Sequence, residues 1–226
     1  MIHRYVKICG INTLASLEAA IVAGASAVGL VFYPRSPRNI SIALASVLAG
    51  KVCGRVEVVA LLVDPDDDLV RQVCETFRPD VLQLHGKETP ERCAEIASLG
   101  RVRIMKALSI AESDDLAKIP PYLPVVERIL VDAKPPPLAG ALPGGNGLAF
   151  DHRLVVGLDL AKPLVLSGGL TPETVGDAIR LTGVEGVDVS SGVEQSPGVK
   201  DPDKIRAFVA ESHRAFDRNS ERKAGP

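Results

Sequence analysis

Eight short stretches rich in Val, Ile and Leu recur along the chain: YVKICG (5–10), AVGLVFY (27–33), VEVVALLVD (56–64), VLQLHG (81–86), VRIMKAL (102–108), RILVDAK (128–134), PLVLSGG (163–169) and GVDVSSG (186–192). Each has the length of a strand, and Gly or Asp closes most of them. Their starts lie roughly 20–35 residues apart and most gaps hold a helical pattern, the signature of successive βα units and a parallel sheet. Eight units in roughly 210 residues predict one α/β domain, a single (β/α)8 TIM barrel at the compact end of its size range. A doubly wound open sheet is the alternative, disfavoured because no composition shift marks a second domain. The expected barrel spans 1–216, and the polar tail DRNSERKAGP (217–226) is expected to fray.

The helix starts share a grammar. DPDD (64–67), TPER (89–92), TPET (171–174) and DPDK (201–204) each offer Asp or Thr as N-cap, then Pro at the first helical position, then an acidic residue where the helix dipole favours one. Gly24 and Gly100 follow apolar-periodic runs and are expected to stop them. Leu14, Leu17, Ala20 and Ile21 should form the buried stripe of the first helix.

Composition narrows the function classes. The 226 residues carry a formal charge of −2, which gives no sign of a nucleic-acid surface. Every apolar run is broken by Gly, Pro or charge before it is long enough to span a bilayer. The N-terminal stretch lacks the pattern of a secretory signal. Cys9, Cys53, Cys74 and Cys93 are irregularly spaced with no C-x-x-C pair, and the four histidines are equally scattered, so neither a disulfide framework nor a metal site is indicated. Four thiols fit a cytoplasmic location. No nucleic-acid or membrane partner is expected.

Strand side chains alternate in direction. Val6 and Ile8 alternate with Lys7 and Cys9; Leu82 and Leu84 with Gln83 and His85; Val187 and Val189 with Asp188 and Ser190; Val131 precedes Asp132. One parity is apolar and suits packing against helices. The other is polar near the C-terminal end of the strand, where barrel active sites are built from several strands at once. A single buried His or Asp is most often a hydrogen-bonded core residue; four strands agreeing point to one pocket.

Two glycine-rich strand ends extend that pocket. LSGGL (166–170) and SSGV (190–193) follow the seventh and eighth strands, where barrels bind phosphate on exposed backbone N–H groups. Gly168, Gly169, Ser190, Ser191 and Gly192 are the candidate phosphate contacts, with Gly145 from the preceding loop. That loop, KPPPLAGALPGGNG (134–147), is long enough to be a lid, with Gly144, Gly145 and Gly147 as hinges.

VKICGI, GLVFYPRSPRNI, VLQLHG, VDAK with its later GGNG, LVLSGGL, and VDVSSGVE followed by PGVKD together resemble the phosphoribosylanthranilate isomerase family of tryptophan biosynthesis, over roughly residues 5–209. The resemblance implies a cofactor-independent barrel, a monomer or homodimer, that converts an aminoaldose phosphate to an aminoketose phosphate by an Amadori rearrangement. It implies Cys9 as general base, Asp132 as general acid and Arg38 as the partner of the substrate carboxylate, with Arg35 a nearby second candidate. It also places Lys7, His85 and Asp188 against the small phosphosugar substrate. Two expectations about acidity follow. Lys7 should depress the Cys9 pKa, since a free thiol near 8.5 is mostly protonated at neutral pH. Burial among apolar neighbours should keep a proton on Asp132. One departure stands out: His152 of AFDH occupies a position where the family usually has Trp, and is expected to pack behind the active-site loop.

Other classes fit less well. Metal-using epimerases of similar barrels want His and acidic ligands at several strand ends, and here only His85 is so placed. Bifunctional barrels acting on histidine-pathway aminoaldoses would want an acid where Cys9 stands. A non-catalytic phosphate-binding barrel would not require Cys9 and Asp132 together.

Overall fold

The computed structural model describes residues 4–134, 144–145, 147 and 150–224. Eight parallel strands close into a barrel in sequence order: β1 (Tyr5–Cys9), β2 (Ala27–Phe32), β3 (Glu57–Leu62), β4 (Val81–Leu84), β5 (Arg103–Ile110), β6 (Arg128–Ala133), β7 (Leu164–Leu166) and β8 (Gly186–Val189), with β8 pairing back on β1. A two-stranded hairpin, β9 (Glu194–Ser196) and β10 (Val199–Lys200), follows outside the barrel. Among the described residues there are six α-helices: α1 (Leu14–Ala23), α2 (Ile42–Val52), α3 (Asp67–Phe77), α4 (Pro90–Gly100), α5 (Val175–Thr182) and α6 (Pro202–Ala224). The crossover from β5 to β6 carries two short 3-10 turns, 113–118 and 120–122, in place of an α-helix; the described part of the next crossover holds one, His152–Val155.

The two parities of the strands do separate. Val6, Ile8, Leu82, Leu84, Val131, Val187 and Val189 join the large core between sheet and helices. Inside the barrel Tyr5, Ala27, Val59, Val81, Met105, Ala107, Leu130 and Val165 fill the middle layer, which makes the lower barrel a packed core. Above it, Cys9, Val31 and Leu61 form a small apolar floor with Tyr33 and Val63 at its rim.

Several helix boundaries differ from expectation, each for a local reason. Thr89 caps α4 with Pro90 following, and α6 begins at Pro202 after Asp201, as the motifs predict. At DPDD the cap is Asp66, which accepts the Leu69 N–H at 2.8 Å. Asp64 takes a left-handed φ of 47° and receives the Lys87 N–H, tying two loops together. At TPET the residues 171–174 form a turn closed by Thr171 N–H on Thr174 Oγ1, and the helix starts one residue later. Gly24 ends α1 in the left-handed region; Gly100 is the last residue of α4, with Arg101 taking the left-handed cap, and a Cβ on Gly100 would sit 2.8 Å from Cys74 Sγ on α3, so its smallness also serves helix packing. Leu14 is half exposed, leaving the buried stripe to Leu17 and Ala20 with Ile21 partly covered. The tail expected to fray from 217 continues α6: Asp217 pairs with Arg4, and Asn219 donates to the Ile179 carbonyl at 2.8 Å.

One buried ion pair shapes the wall beside the site. Lys106, on the outward parity of β5, is 1% exposed and donates to Glu88 Oε2 (2.9 Å) and the Gly86 (2.9 Å) and Leu84 (3.2 Å) carbonyls. Glu88 also accepts the N–H groups of Asp64 and Gly86. The segment from Leu84 to Glu88, which carries His85, is thereby fixed from beneath. Removing one partner of such a pair strands a buried charge. Lys106→Met should therefore lower the unfolding free energy by about 3–5 kcal/mol, measured by urea denaturation; an unchanged midpoint would contradict this.

Candidate active site

The C-terminal ends of the strands open into a cleft of about 770 Å3 counted out to its mouth, a size suited to a small organic ligand. Cys9, Arg38, His85, Asp132, Gly168 and Asp188 are among its lining residues, together with Gly145, Gly169, Ser190, Ser191 and Gly192. Strand parity, closure in sequence order and the short loops after β7 and β8 bring these residues to one face.

Asp188 lines the base of the cleft and Lys7 lies beneath it. They are opposite each other in the β1–β8 register, and Lys7 Nζ donates to Asp188 Oδ1 at 2.8 Å with both side chains almost wholly buried. Lys7 is 0% exposed, so it supports the site from below and does not line the cleft. Ser167 Oγ donates to the other Asp188 oxygen at 3.4 Å. Burial pulls Lys7 down, but Asp188 and the Cys9 sulfur hold its pKa above the ordinary value.

Cys9 is 4% exposed, one pleat above Lys7. Its neighbour across the pairing is Gly29, where a Cβ would stand 2.8 Å from Sγ and 3.1 Å from Lys7 Cε. Only a bare α-carbon leaves room there for both side chains. Burial pushes the Cys9 thiol up; Lys7 and Lys200 pull it down, Asp188 pushes it up, and the net direction is upward. Lys7 thus acts in the direction expected, but desolvation outweighs it.

Asp132, 5% exposed on β6, accepts the Ala133 N–H on Oδ1 at 2.9 Å. Its Oδ2 lies 3.3 Å from His85 Nε2. His85 Nδ1 in turn faces Gln83 Nε2 at 3.0 Å. Nε2 stands close to the Asp132 carboxyl without a hydrogen bond among the described residues. The surroundings of Asp132 are therefore polar on both oxygens, contrary to the apolar setting expected.

Arg38 is buried and Arg35 exposed, which separates the two candidates. Arg38 Nε and Nη2 donate to the two oxygens of Glu194, each at 2.8 Å, and Nη2 also reaches the Gly145 carbonyl at 3.3 Å. Gly145 thus sits against the guanidinium and not with the loops after β7 and β8, where the sequence placed it. Gly147 instead approaches Ser191: a Cβ there would lie 3.7 Å from Ser191 Oγ. Residues 135–143 and 146, most of the expected lid, lie outside the described residues.

Gly168 and Gly169 have φ of 84° and 66°, which L side chains rarely adopt, and carry nothing to block an anion from their N–H groups. Ser190–Gly192 approach them from β8, so closely that a Cβ on Gly192 would lie 1.9 Å from the Leu170 carbonyl. Ser190 Oγ donates to the Cys9 carbonyl at 3.2 Å, coupling this loop to β1. His152 meets Phe150 edge-on at 5.1 Å between ring centroids and reaches the Gly168 backbone, with burial pulling its pKa down. It packs against the β7 loop; most of the active-site loop behind which it is expected lies outside the described residues.

Glu194 and Lys200 were not legible as site residues. Lys200 Nζ donates to Glu194 Oε1 (2.7 Å) and the Ser190 carbonyl (2.9 Å). Burial pushes the Glu194 carboxyl up, yet Arg38 and Lys200 hold it below the ordinary carboxylate range. Burial pulls Lys200 down despite its carboxylate partner. Both residues stand on β9 and β10, beyond the barrel strands, where no alternation marks them. Among the described residues no group of three or more His, Cys, Asp or Glu is placed to hold a metal ion, and no helix is long and apolar enough to cross a membrane.

Comparison with known proteins agrees with this geometry. Residues 6–211 match the family model described as N-(5'phosphoribosyl)anthranilate (PRA) isomerase. The curated N-(5'-phosphoribosyl)anthranilate isomerase of Rhodopseudomonas palustris strain BisA53 is 53% identical, covering 90% of this chain and 93% of its own. That of Paracoccus denitrificans strain Pd 1222 is 52% identical, covering 91% and 95%. The crystal structure of phosphoribosyl anthranilate isomerase from Thermotoga maritima superposes with a TM-score of 0.84 at 36% identity, covering 95% of this chain and 100% of that one. Another solved phosphoribosyl anthranilate isomerase, in complex with reduced 1-(o-carboxyphenylamino)-1-deoxyribulose 5-phosphate, gives 0.81 at 34% identity with the same coverage. A closed barrel with this cleft, matched along almost its whole length, belongs to the N-(5'-phosphoribosyl)anthranilate isomerase family.

Proposed function

We propose that this chain isomerises N-(5-phosphoribosyl)anthranilate to 1-(2-carboxyphenylamino)-1-deoxyribulose 5-phosphate, in the cytoplasm, as a step of tryptophan biosynthesis. The observation that carries the residue assignment is the convergence of a buried thiol, a carboxyl and an arginine on one cleft with glycine loops beside them.

The substrate phosphate sits on the N–H groups of Gly168, Gly169 and the Ser190–Gly192 loop. The anthranilate carboxylate meets the side of Arg38 that Glu194 leaves free. Between these anchors the ribose lies over Cys9 and Asp132. Asp132 gives a proton to the furanose ring oxygen as the C1'–O bond breaks, and the anilino nitrogen lone pair forms the C1'=N bond of a Schiff base. Cys9, as thiolate, takes the C2' proton, and the C–H electrons form C1'=C2' while the C=N pair returns to nitrogen. The resulting enolamine tautomerises: the C2' hydroxyl becomes the ketone and C1' gains a proton. Atoms and electrons balance within the substrate, so one acid and one base suffice. His85 stands beside the Asp132 carboxyl on the cleft wall.

The raised thiol has two sides. A buried thiolate is a stronger base, but less of it exists at neutral pH. Lys7 and Lys200 moderate the cost of forming the anion.

Loss of anthranilate-ester fluorescence follows turnover of freshly made substrate. Cys9→Ser and Asp132→Asn should each lower kcat by about 10²–10⁴-fold; a wild type no faster than buffer would refute the assignment. The pH profile is the second test. The rate should rise with the thiolate fraction, so kcat/KM has a limb above the ordinary thiol pKa of about 8.5. Removing the Lys7 cation, which pulls Cys9 down, must shift that limb to higher pH in Lys7→Met. An unmoved limb would separate Lys7 from the base.

A further inference from the structure

Arg38 is not a free fork waiting for a carboxylate. Its Nε and Nη2 are both engaged by Glu194 in a two-point contact at 2.8 Å. Its aliphatic stem lies over Gly10, where a Cβ would come within 2.7 Å of Cδ. The guanidinium plane is thereby fixed, and Nη1 remains as the nitrogen with no partner among the described residues; it faces the cleft wall at Gly145. Glu194 is itself held from three further sides, by Lys200 Nζ on Oε1, the Gly198 N–H on Oε2 and Lys204 Nζ on its backbone carbonyl. One buried carboxylate thus faces two buried cations, Arg38 and Lys200. Such a cluster is short of one negative charge, which an arriving carboxylate supplies.

We propose that Glu194, braced by Lys200, is a positioning residue that fixes the Arg38 guanidinium so that the site selects an aromatic ring bearing an ortho carboxylate over the same ring without one. The inference rests on the reading of Arg38 as the carboxylate partner. Its physical basis is pre-organisation: a bidentate carboxylate contact sets both the plane and the direction of an otherwise flexible side chain. Glu194 touches no reacting atom in this account and acts through Arg38.

The test compares N-(5-phosphoribosyl)anthranilate with N-(5-phosphoribosyl)aniline, which lacks the carboxylate, for wild type, Arg38→Met, Glu194→Gln and the double variant. Glu194→Gln should raise KM for the carboxylated substrate about 10–100-fold, the scale of one charge-assisted hydrogen bond. Its kcat, and its kcat/KM for the aniline analogue, should change far less. The double variant should be no more selective, and no slower on the carboxylated substrate, than Arg38→Met alone. If Glu194→Gln fails to fold, Glu194→Asp keeps the charge but shortens the reach, and an intermediate loss of selectivity is expected. Equal losses on both substrates, or none on either, while Arg38→Met still abolishes selectivity, would overturn the role of Glu194 and leave Arg38 standing. If Arg38→Met leaves selectivity intact, the carboxylate reading itself falls.

Discussion

The site depends on an ion pair at the base of the cleft. Lys7 and Asp188 meet inside the barrel at 2.8 Å, directly opposite in the pairing of its first and last strands. Two charges in that place are costly to desolvate and are stable only as a pair. Their pairing stitches the closure point of the sheet and sets the electrostatic floor under Cys9. The thiol is influenced by it: Lys7 pulls its pKa down, Asp188 pushes it up, and burial exceeds either. With Cys9 as the proposed base, the arrangement is a compromise between a dry site, which strengthens the thiolate, and a cation that makes the thiolate accessible.

A second network outside the barrel answers the first. The β9–β10 hairpin carries Glu194 and Lys200 over the top of β8; Lys200 holds the Ser190 carbonyl while Glu194 holds Arg38. The same hairpin thus touches both ends of the cleft, the glycine and serine loop at one side and the guanidinium at the other. Ser190 Oγ passes the connection on to the backbone of Cys9. Geometry at the anchors and geometry at the base are not independent in such an arrangement.

The barrel was legible because period-two alternation and the strand-helix rhythm are local signals. Lys7, Cys9, His85, Asp132 and Asp188 were legible for the same reason, being polar residues on the wrong parity of apolar strands. What escaped the sequence depends on contacts between distant segments. Asp64 looked like a cap until Lys87 and Glu88 claimed its carboxyl and its N–H. Gly100 ends α4, but its close approach to Cys74 on α3 is a contact no local pattern shows. Glu194 and Lys200 lie in a short hairpin with no periodicity, so only the closed fold brings them to Arg38. Part of the polarity around Asp132 likewise comes from outside its own strand, through His85 just after β4.

One placement decides the proposed chemistry: a single ligand held at both ends, with the thiol on C2' and the carboxyl on the former ring oxygen. A crystal structure of this protein with the reduced product analogue, 1-(o-carboxyphenylamino)-1-deoxyribulose 5-phosphate in its reduced form, measures that directly. The predicted result has the phosphate on the Gly168–Gly169 and Ser190–Gly192 N–H groups, the ring carboxylate on Arg38 Nη1, Cys9 Sγ against C2', and an Asp132 oxygen within about 3 Å of the C4' hydroxyl, the former ring oxygen, the reach of direct proton transfer. A phosphate seated on Arg38, or a ligand that leaves either Cys9 or Asp132 out of reach, would contradict it.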